Sequence, residues 1–394
     1  MFQIVQVWNT FFAQSMITFN KPYLTGKEVH YIQAAADARK LSGNGRFTRL
    51  CQEFFSQKYG FKHCLLTSSC TDALEMIALL LEIQPGDEVI MPSYTFTSCA
   101  NAFVLRGAKI RFADCLPDHP NLDPLSVEPL VNPQTKAILV MHYAGVACDM
   151  EAFVLLCEKY NLYLIEDAAQ AVGAFHKDKA LGSLGHLAAF SFHETKNISA
   201  GEGGMLLIND SNFLERAEIL WEKGTNRSAF ARGEVSKYTW MDVGSSFLPS
   251  EITAAFLWAQ LEHIEEIQQK RMDIWQNYYD EFKILEDTGK LKLPNIPSTA
   301  QHNAHIFYLL CDNETQRNDL IAHLAKNQIQ GIFHYLPLHQ SPFYQKTHPI
   351  RSYLPHCERF AACLLRLPLY VELSLEDQNQ VIRVVKDFFF TNNL

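Results

Sequence analysis

Three short polar clusters interrupt otherwise apolar segments of the sequence, and each carries side chains that can do chemistry. The first is Thr67-Ser68-Ser69-Cys70-Thr71, between a strand-like run and a helix start. Backbone N–H groups, hydroxyls and a helix dipole there suit a phosphate, although in isolation ordinary N-capping is the better account. The second is LYLIEDAAQAVGA, with Asp167 at a strand end and Gln170 three residues later. Asp167 is explained equally well as a turn cap or as a carboxylate that keeps a pyridine nitrogen protonated, so that the ring can act as an electron sink for a carbanion. The third is FSFHETKNISAGEGG, where Lys196 stands between an apolar strand and a glycine-rich stretch. A lone lysine is usually solvated. This setting, by contrast, can lower an amine's pKa for Schiff-base chemistry.

The elements that position these clusters follow from hydrophobic spacing. From Gly45 to about Asn209, short apolar runs alternate with amphipathic stretches, which predicts βα units and a mainly parallel sheet. Phe47, Leu50, Cys51, Phe54 and Tyr59 fit a helix that Gly60 stops. CLLT then leads into a helix capped by Ser69 or Thr71, and EVIMP, KIRFADC, KAILVMHY and LYLIED read as further strands. In such sheets ligands bind beyond the carboxyl ends of the strands, where all three clusters fall. A pattern with few breakers from Ser250 to Phe282 predicts one long bridging helix. The remainder reads as a smaller α/β unit with strands HIFYLLCD and GIFHYLP and a last helix started by Ser374 and Asp377. The expected division is 16–265 for the larger domain and 266–394 for the smaller. Residues 1–15 are set aside as an N-terminal extension, because Met16 followed by ITFNKPYLTGKE reads like a protein start.

Composition narrows the function classes. The chain has 394 residues, 48% hydrophobic and 20% charged, enough for two domains around a substantial core. A formal charge of -9 gives no general attraction to nucleic acid or to anionic membranes. Its 10 cysteines include no C-x-x-C pair, so buried free thiols in a reducing cytosol are expected. No stretch reads as a signal peptide or a membrane span, and no metal site is expected.

The ordered motifs EDAAQ, SFHETKN, PSYTF, HYAGVACDM and HYLPLH resemble the DegT/DnrJ/EryC1/StrS sugar aminotransferases, and the likeness covers nearly the whole chain from Met16 onward. It implies the fold type I architecture of pyridoxal 5'-phosphate enzymes, α/β with a large domain and a smaller C-terminal one. By the same resemblance Lys196 is the Schiff-base lysine and Asp167 the partner of the pyridine nitrogen. Gln170 would contact the ring's phenolic oxygen, Phe96 would stack on the ring, and Cys70, Thr71 and Ser191 would cradle the phosphate. His193 would lie near the site in a structural role.

Two positions depart from the family pattern G-x-N-Y-R. Here the run is Gly244-Ser245-Ser246-Phe247-Leu248, so Ser246 stands where an Asn reaches a partner subunit's cofactor phosphate, and Leu248 replaces an Arg. Arg227 and Arg232 of the preceding loop are alternative cations for a substrate diphosphate, with solvated surface charge an equal reading.

The resemblance further implies a homodimer in which L-glutamate gives its amino group to the cofactor, after which C4 of a dTDP-4-keto-6-deoxyhexose is aminated. Galacto and gluco products differ only in the ring face presented. A sugar dehydratase of the same fold would carry His in place of Lys196. A degenerate regulatory protein would not retain Lys196, Asp167 and Gln170 together, and no G-x-G-x-x-G follows an early strand as a dinucleotide enzyme requires.

Overall fold

The computed structural model describes residues 16–347 and 353–391, so the expected extension over residues 1–15 lies outside the described residues. The centre is a seven-stranded sheet built from β1 (His63–Thr67), β2 (Glu88–Pro92), β3 (Lys109–Ala113), β4 (Thr135–Met141), β5 (Tyr163–Asp167), β6 (Leu187–Ser191) and β7 (Gly204–Ile208). Their spatial order is β1-β7-β6-β5-β4-β2-β3. All neighbours run parallel except where β7 inserts antiparallel between β1 and β6. The strands are apolar on both faces because both faces are covered. Ile165, Leu187 and Ala189 point into one core and Ala188 and Phe190 into the opposite one, as a period of two demands.

Around the sheet, α1 (Glu28–Asp37) and α2 (Arg46–Tyr59) pack against α6 (Glu251–Leu261), while α3 (Cys70–Leu80), α4 (Thr97–Val104) and α5 (Met150–Tyr160) are crossover helices. Gly60 ends α2 in the left-handed conformation, and Ser69, not Thr71, caps α3 by accepting from Asp72 N–H. Buried Glu251 accepts from the N–H groups of Gly45, Phe47 and Thr48, so the start of α6 satisfies the start of α2.

Two expected elements differ. The long bridging helix is two helices, α6 and α7 (Ile264–Asp287), separated by one tightened turn in which His263 N–H reaches Gln260 O. No Gly or Pro marks that turn, which is why the sequence pattern runs straight through it. After the turn, α7 presents Ile274, Trp275, Tyr278, Phe282 and Leu285 to a separate core. That core also holds β8 (Phe307–Leu310), α8 (Glu314–Lys326), β9 (Leu364–Leu367) and α9 (Leu375–Thr391), with β8 and β9 antiparallel.

The segment GIFHYLP is extended but is not a regular strand. Only Ile332 pairs with Arg366 of β9, after which the chain peels away. His334 and Tyr335 turn into the cleft instead, and Pro337 has no N–H to give a ladder. The last helix starts as expected, with Ser374 accepting from Asp377 N–H. Of the cysteines, all are free and only Cys70 is less than fully buried.

Candidate active site

A cavity of about 570 Å³ opens where the carboxyl ends of β4, β5 and β6 meet the small unit, lined among others by Lys196, Asp167, Gln170, Cys70, Thr71 and Phe96. Ser191 and His193 also face it. Register sets the centre, since Met141, Asp167 and Ala189 lie side by side on three parallel strands.

β5 ends in two adjacent carboxylates that strand alternation sends to opposite faces. Asp167 faces the cavity, accepts from Ala169 N–H at 3.0 Å and receives the Cys99 thiol. Glu166 is fully buried behind the sheet, where it meets His142 Nε2 at 2.9 Å and accepts from the N–H groups of Gly182, Leu184 and Gly185. Burial pushes its carboxyl up, but the His142 contact and the Gly182 and Gly185 amides overcome this and leave it below the usual value. Cys148 N–H donates to His142 Nδ1 at 3.2 Å, which fixes the tautomer with Nε2–H pointing at Glu166. The end of β5 is thereby fastened from behind.

Gln170 is held at both ends of its amide. Oε1 accepts from Ala144 N–H at 2.7 Å and Nε2 donates to Tyr335 Oη at 3.0 Å. Ala144 adopts a left-handed backbone with φ 60°, strained for a residue with a Cβ, and this aims its N–H at Gln170.

Lys196 sits on the loop joining β6 to β7, which Phe192 N–H to Gly203 O and Ala200 N–H to Phe192 O close on themselves. Its neighbour Asn197 donates to Gln268 and to Asn303 O at 2.8 and 2.7 Å and meets His305 Nδ1 at 2.9 Å, tying the loop to α7 and the small unit. Burial pushes the Lys196 amine below the ordinary lysine value, Cys70 and Asp167 pull it partly back up, and Arg366 pushes it down. A larger neutral fraction makes it a better nucleophile toward an aldehyde. His193 bonds Thr195 through Nδ1 at 2.9 Å and shapes the loop, in keeping with a structural role.

The start of α3 forms one end of the cavity. Gly204 lets it approach, since a Cβ there would collide with the backbone of Ser69 and Cys70. Thr71 donates to Ser98 at 2.8 Å, so hydroxyls of two helix starts share one place with N–H groups able to bind an anion. Phe96 is 58% exposed although it lies in the cleft, leaving an aromatic face available for a planar ring. The donor set therefore fits pyridoxal phosphate, for which the α3 start would hold the phosphate, Asp167 the pyridine nitrogen and Lys196 the aldehyde carbon.

Three sequence-derived residues do not line this cavity. Ser246 is exposed and bridges Glu222, although the next residue, Phe247, accepts from Ser68 N–H beside the α3 start. Arg227 is exposed on the short helix Arg227–Ala231. Arg232 pairs through both guanidinium arms with Glu218 and also with Glu234. Conversely, sequence reasoning missed Cys99, His305, His334, Tyr335 and Arg366, all of which line the cleft. For Arg366 there was a signal, an arginine embedded in the apolar run LLRLPLY.

The profile of the DegT/DnrJ/EryC1/StrS aminotransferase family matches residues 22–386. The chain belongs to that family. Among its relatives, the spore coat polysaccharide biosynthesis protein SpsC of Bacillus subtilis strain 168 is 31% identical over 379 residues, covering 94% of this chain and 96% of the relative. The aminotransferase TlmJ from Streptoalloteichus hindustanus superposes with a TM-score of 0.88 at 28% identity, covering 96% of this chain and all of that one. PseC of Helicobacter pylori, an aminotransferase involved in pseudoaminic acid biosynthesis, gives 0.88 at 26% identity, covering 95% of this chain and all of that one. This DegT-family protein is thus a sugar aminotransferase of the α/β fold that uses pyridoxal 5'-phosphate. Among the described residues no helix is long and apolar enough to cross a membrane.

Proposed function

We propose that the enzyme transfers the amino group of L-glutamate to C4 of a nucleotide-linked 4-keto-6-deoxyhexose, namely dTDP-4-dehydro-6-deoxy-D-glucose. The products are dTDP-4-amino-4,6-dideoxy-D-galactose and 2-oxoglutarate. Such an amino sugar would serve a cytoplasmic stage of cell-surface polysaccharide biosynthesis, as in enterobacterial common antigen or lipopolysaccharide. The observation that carries the chemistry is Lys196 sharing one cleft with Asp167 and Gln170. The choice of sugar is supported by the segments KGTNRS, KYTW and GSSFLPS, which resemble the transaminase that makes dTDP-4-amino-4,6-dideoxygalactose.

Pyridoxal phosphate, when bound, supplies the electron sink for a carbanion. In this reading Asp167 keeps the ring nitrogen protonated, Gln170 faces the phenolic oxygen, Phe96 covers one ring face, and Cys70, Thr71 and Ser191 receive the phosphate. Lys196 serves twice: it holds the cofactor, and once its amine is free it moves the proton on and off the amino-bearing carbon of each substrate.

Assembly as a homodimer is part of the proposal. The loop before Ser246 exposes Tyr238, Trp240, Met241 and Val243, Trp240 at 79%, an apolar surface that a second copy would cover while bringing Ser246 to its neighbour's cleft. Residues 16–265 and 266–394 are proposed as the two domains, supported by the separate core that α7 enters. Incubating purified protein with L-glutamate and a panel of dTDP- and UDP-4-keto sugars, with NMR of the product, tests nucleotide, sugar and C4 configuration together. Amination of none of the panel would refute the reading.

A further inference from the structure

Two arginines stand near the cleft, Arg271 buried and Arg366 partly exposed, and they are used differently. Arg271 of α7 is committed to the backbone, its Nε reaching Ala304 O at 3.2 Å and an Nη reaching His305 O at 2.6 Å. Arg366 of β9 makes one such bond, Nη2 to Phe333 O at 3.0 Å, while its buried Nε has no hydrogen-bond partner. Among the described residues no carboxylate lies within ion-pair distance of it, and its guanidinium rests on the Phe19 ring at 4.5 Å. A buried guanidinium N–H left without an acceptor is costly in a finished fold, and its retention on a side chain with no carboxylate beside it calls for an anionic partner that arrives later.

The chemistry of the cavity narrows that partner. Arg366 lines the same cavity as Lys196 and lowers that amine's proton affinity, so the two cations sense each other across the site. His305 and His334 also face the cavity, but burial drives both well below the ordinary histidine value, and Arg366 and Lys196 push the same way, leaving them neutral. In the proposed reaction Lys196 alternates between its link to the cofactor and a free amine that carries the proton. Arg366 is the one arginine among the described lining residues, and a guanidinium stays cationic throughout turnover.

An α-amino acid donor carries its α-carboxylate on the same carbon as the nitrogen that reacts. A sugar nucleotide carries its charges beyond C1, across the pyranose ring from C4. A fixed cation beside the reacting amine thus matches the donor's α-carboxylate and not the diphosphate.

We propose that Arg366 is the recognition residue for the α-carboxylate of the amino donor, with the guanidinium held in plane by Phe19 and Phe333 O. When the donor's keto acid leaves, the same donors face the neutral hydroxyls of the sugar ring, so both substrates can use one cleft in turn. The proposal rests on the aminotransferase reading and adds which group distinguishes donor from acceptor.

The test uses the cofactor-loaded enzyme and its Arg366→Gln and Arg366→Lys variants, with cofactor content and circular dichroism matched first. The cofactor absorbance is titrated with L-glutamate, with L-isoglutamine, which lacks only the α-carboxylate charge, and with L-glutamine, which lacks only the side-chain charge. Calorimetry measures binding of glutarate, which has neither an amino nor a keto group to react, to the cofactor-loaded enzyme as a readout independent of turnover. The expected result is a roughly ten- to hundredfold weaker response of Arg366→Gln to L-glutamate and weaker binding of glutarate. The variant also loses discrimination between L-glutamate and L-isoglutamine, keeps it between L-glutamate and L-glutamine, and is partly rescued as Arg366→Lys. Unchanged L-glutamate affinity in Arg366→Gln, or retained discrimination against L-isoglutamine, overturns the proposal while leaving the aminotransferase reading intact. A wild-type enzyme that responds to none of the three donors overturns that reading and the proposal with it.

Discussion

The two walls of the cleft are built on opposite principles. On the sheet side, Asp167, Gln170 and the Lys196 loop are each pinned by groups that do not themselves react: Ala169 and Cys99 for the first, Ala144 and Tyr335 for the second, Asn197 and its three partners for the third. On the small-unit side, Arg366 has spare hydrogen-bonding capacity, and His334 is stacked on Tyr335 at 3.7 Å and bonded to Tyr143 yet stays open to the cavity. Preorganisation is stored where a cofactor that never leaves must be oriented, and unmet capacity is kept where two dissimilar substrates come and go. The tests that can break this contrast range from the loss of a reacting group to the loss of a surface pair.

The largest effect is expected at Lys196. Lys196→Ala should lose the borohydride-reducible linkage and at least about four orders of magnitude in turnover, because one amine both holds the cofactor and moves the proton. A reducible linkage surviving in this variant would place the attachment elsewhere. Asp167→Asn comes next, with turnover lower by roughly 100- to 1000-fold while the fold and much of the cofactor are retained. It carries a pH signature too. Asp167 raises the Lys196 pKa against the depression caused by burial, so its removal should move the inflection for cofactor loading to lower pH. An inflection that stays in place, or moves up, contradicts that coupling.

Glu166→Gln probes the fastening behind the sheet, where no reacting group is touched. An amide offers one acceptor oxygen and turns its NH₂ toward donors, at a cost of about 1–3 kcal/mol in stability by denaturant titration. The sign with pH follows from the depressed carboxyl of Glu166 in the folded protein. Its contribution is fully present above the ordinary carboxylate value near 4.5 and is lost as pH falls through the lower folded one. On the acid side, the stability gap between wild type and Glu166→Gln should therefore close as pH falls below the ordinary carboxylate value. A gap that widens in acid would reverse the assignment.

The contrast between the walls also explains what the sequence disclosed. Asp167, Gln170, Lys196, Cys70 and Thr71 are legible because each sits at the end of a short apolar strand, within a few residues of the others in its cluster, where strand period and chain order already place it. Ser69 capping, the Gly60 stop and the parallel β2 to β6 core follow from the same local rules. The opposite wall draws on residues 305, 334, 335 and 366, far apart in sequence and carried on irregular or edge backbone, where no period points inward. Glu166 was hidden by its neighbour, because a strand end bearing two acids does not announce which one faces the ligand. The break between α6 and α7 left no Gly or Pro to read.

The smallest effect is expected far from both walls, at Arg232. Its guanidinium makes four hydrogen bonds to Glu218 and Glu234, and that bonding holds its proton even more firmly than usual. To bind a diphosphate it would have to leave two carboxylates for one ligand, exchanging one set of charge-assisted bonds for another. Arg227, exposed at the start of the short helix that Arg232 follows, has no such commitment among the described residues. Arg232→Ala should therefore change stability by less than about 1 kcal/mol, as an exposed pair does, and leave the KM for the sugar nucleotide within about twofold. Arg227→Ala is the discriminating partner experiment. If a second copy carries this helix over its neighbour's cleft, the loss of one charge-assisted contact raises that KM by roughly one to two decades, with the glutamate half-reaction untouched. A rise in KM for Arg232→Ala and none for Arg227→Ala would mean that the Glu218 and Glu234 pairing opens in the assembled enzyme, making the surface loop, like Arg366, a region of capacity held ready for a ligand.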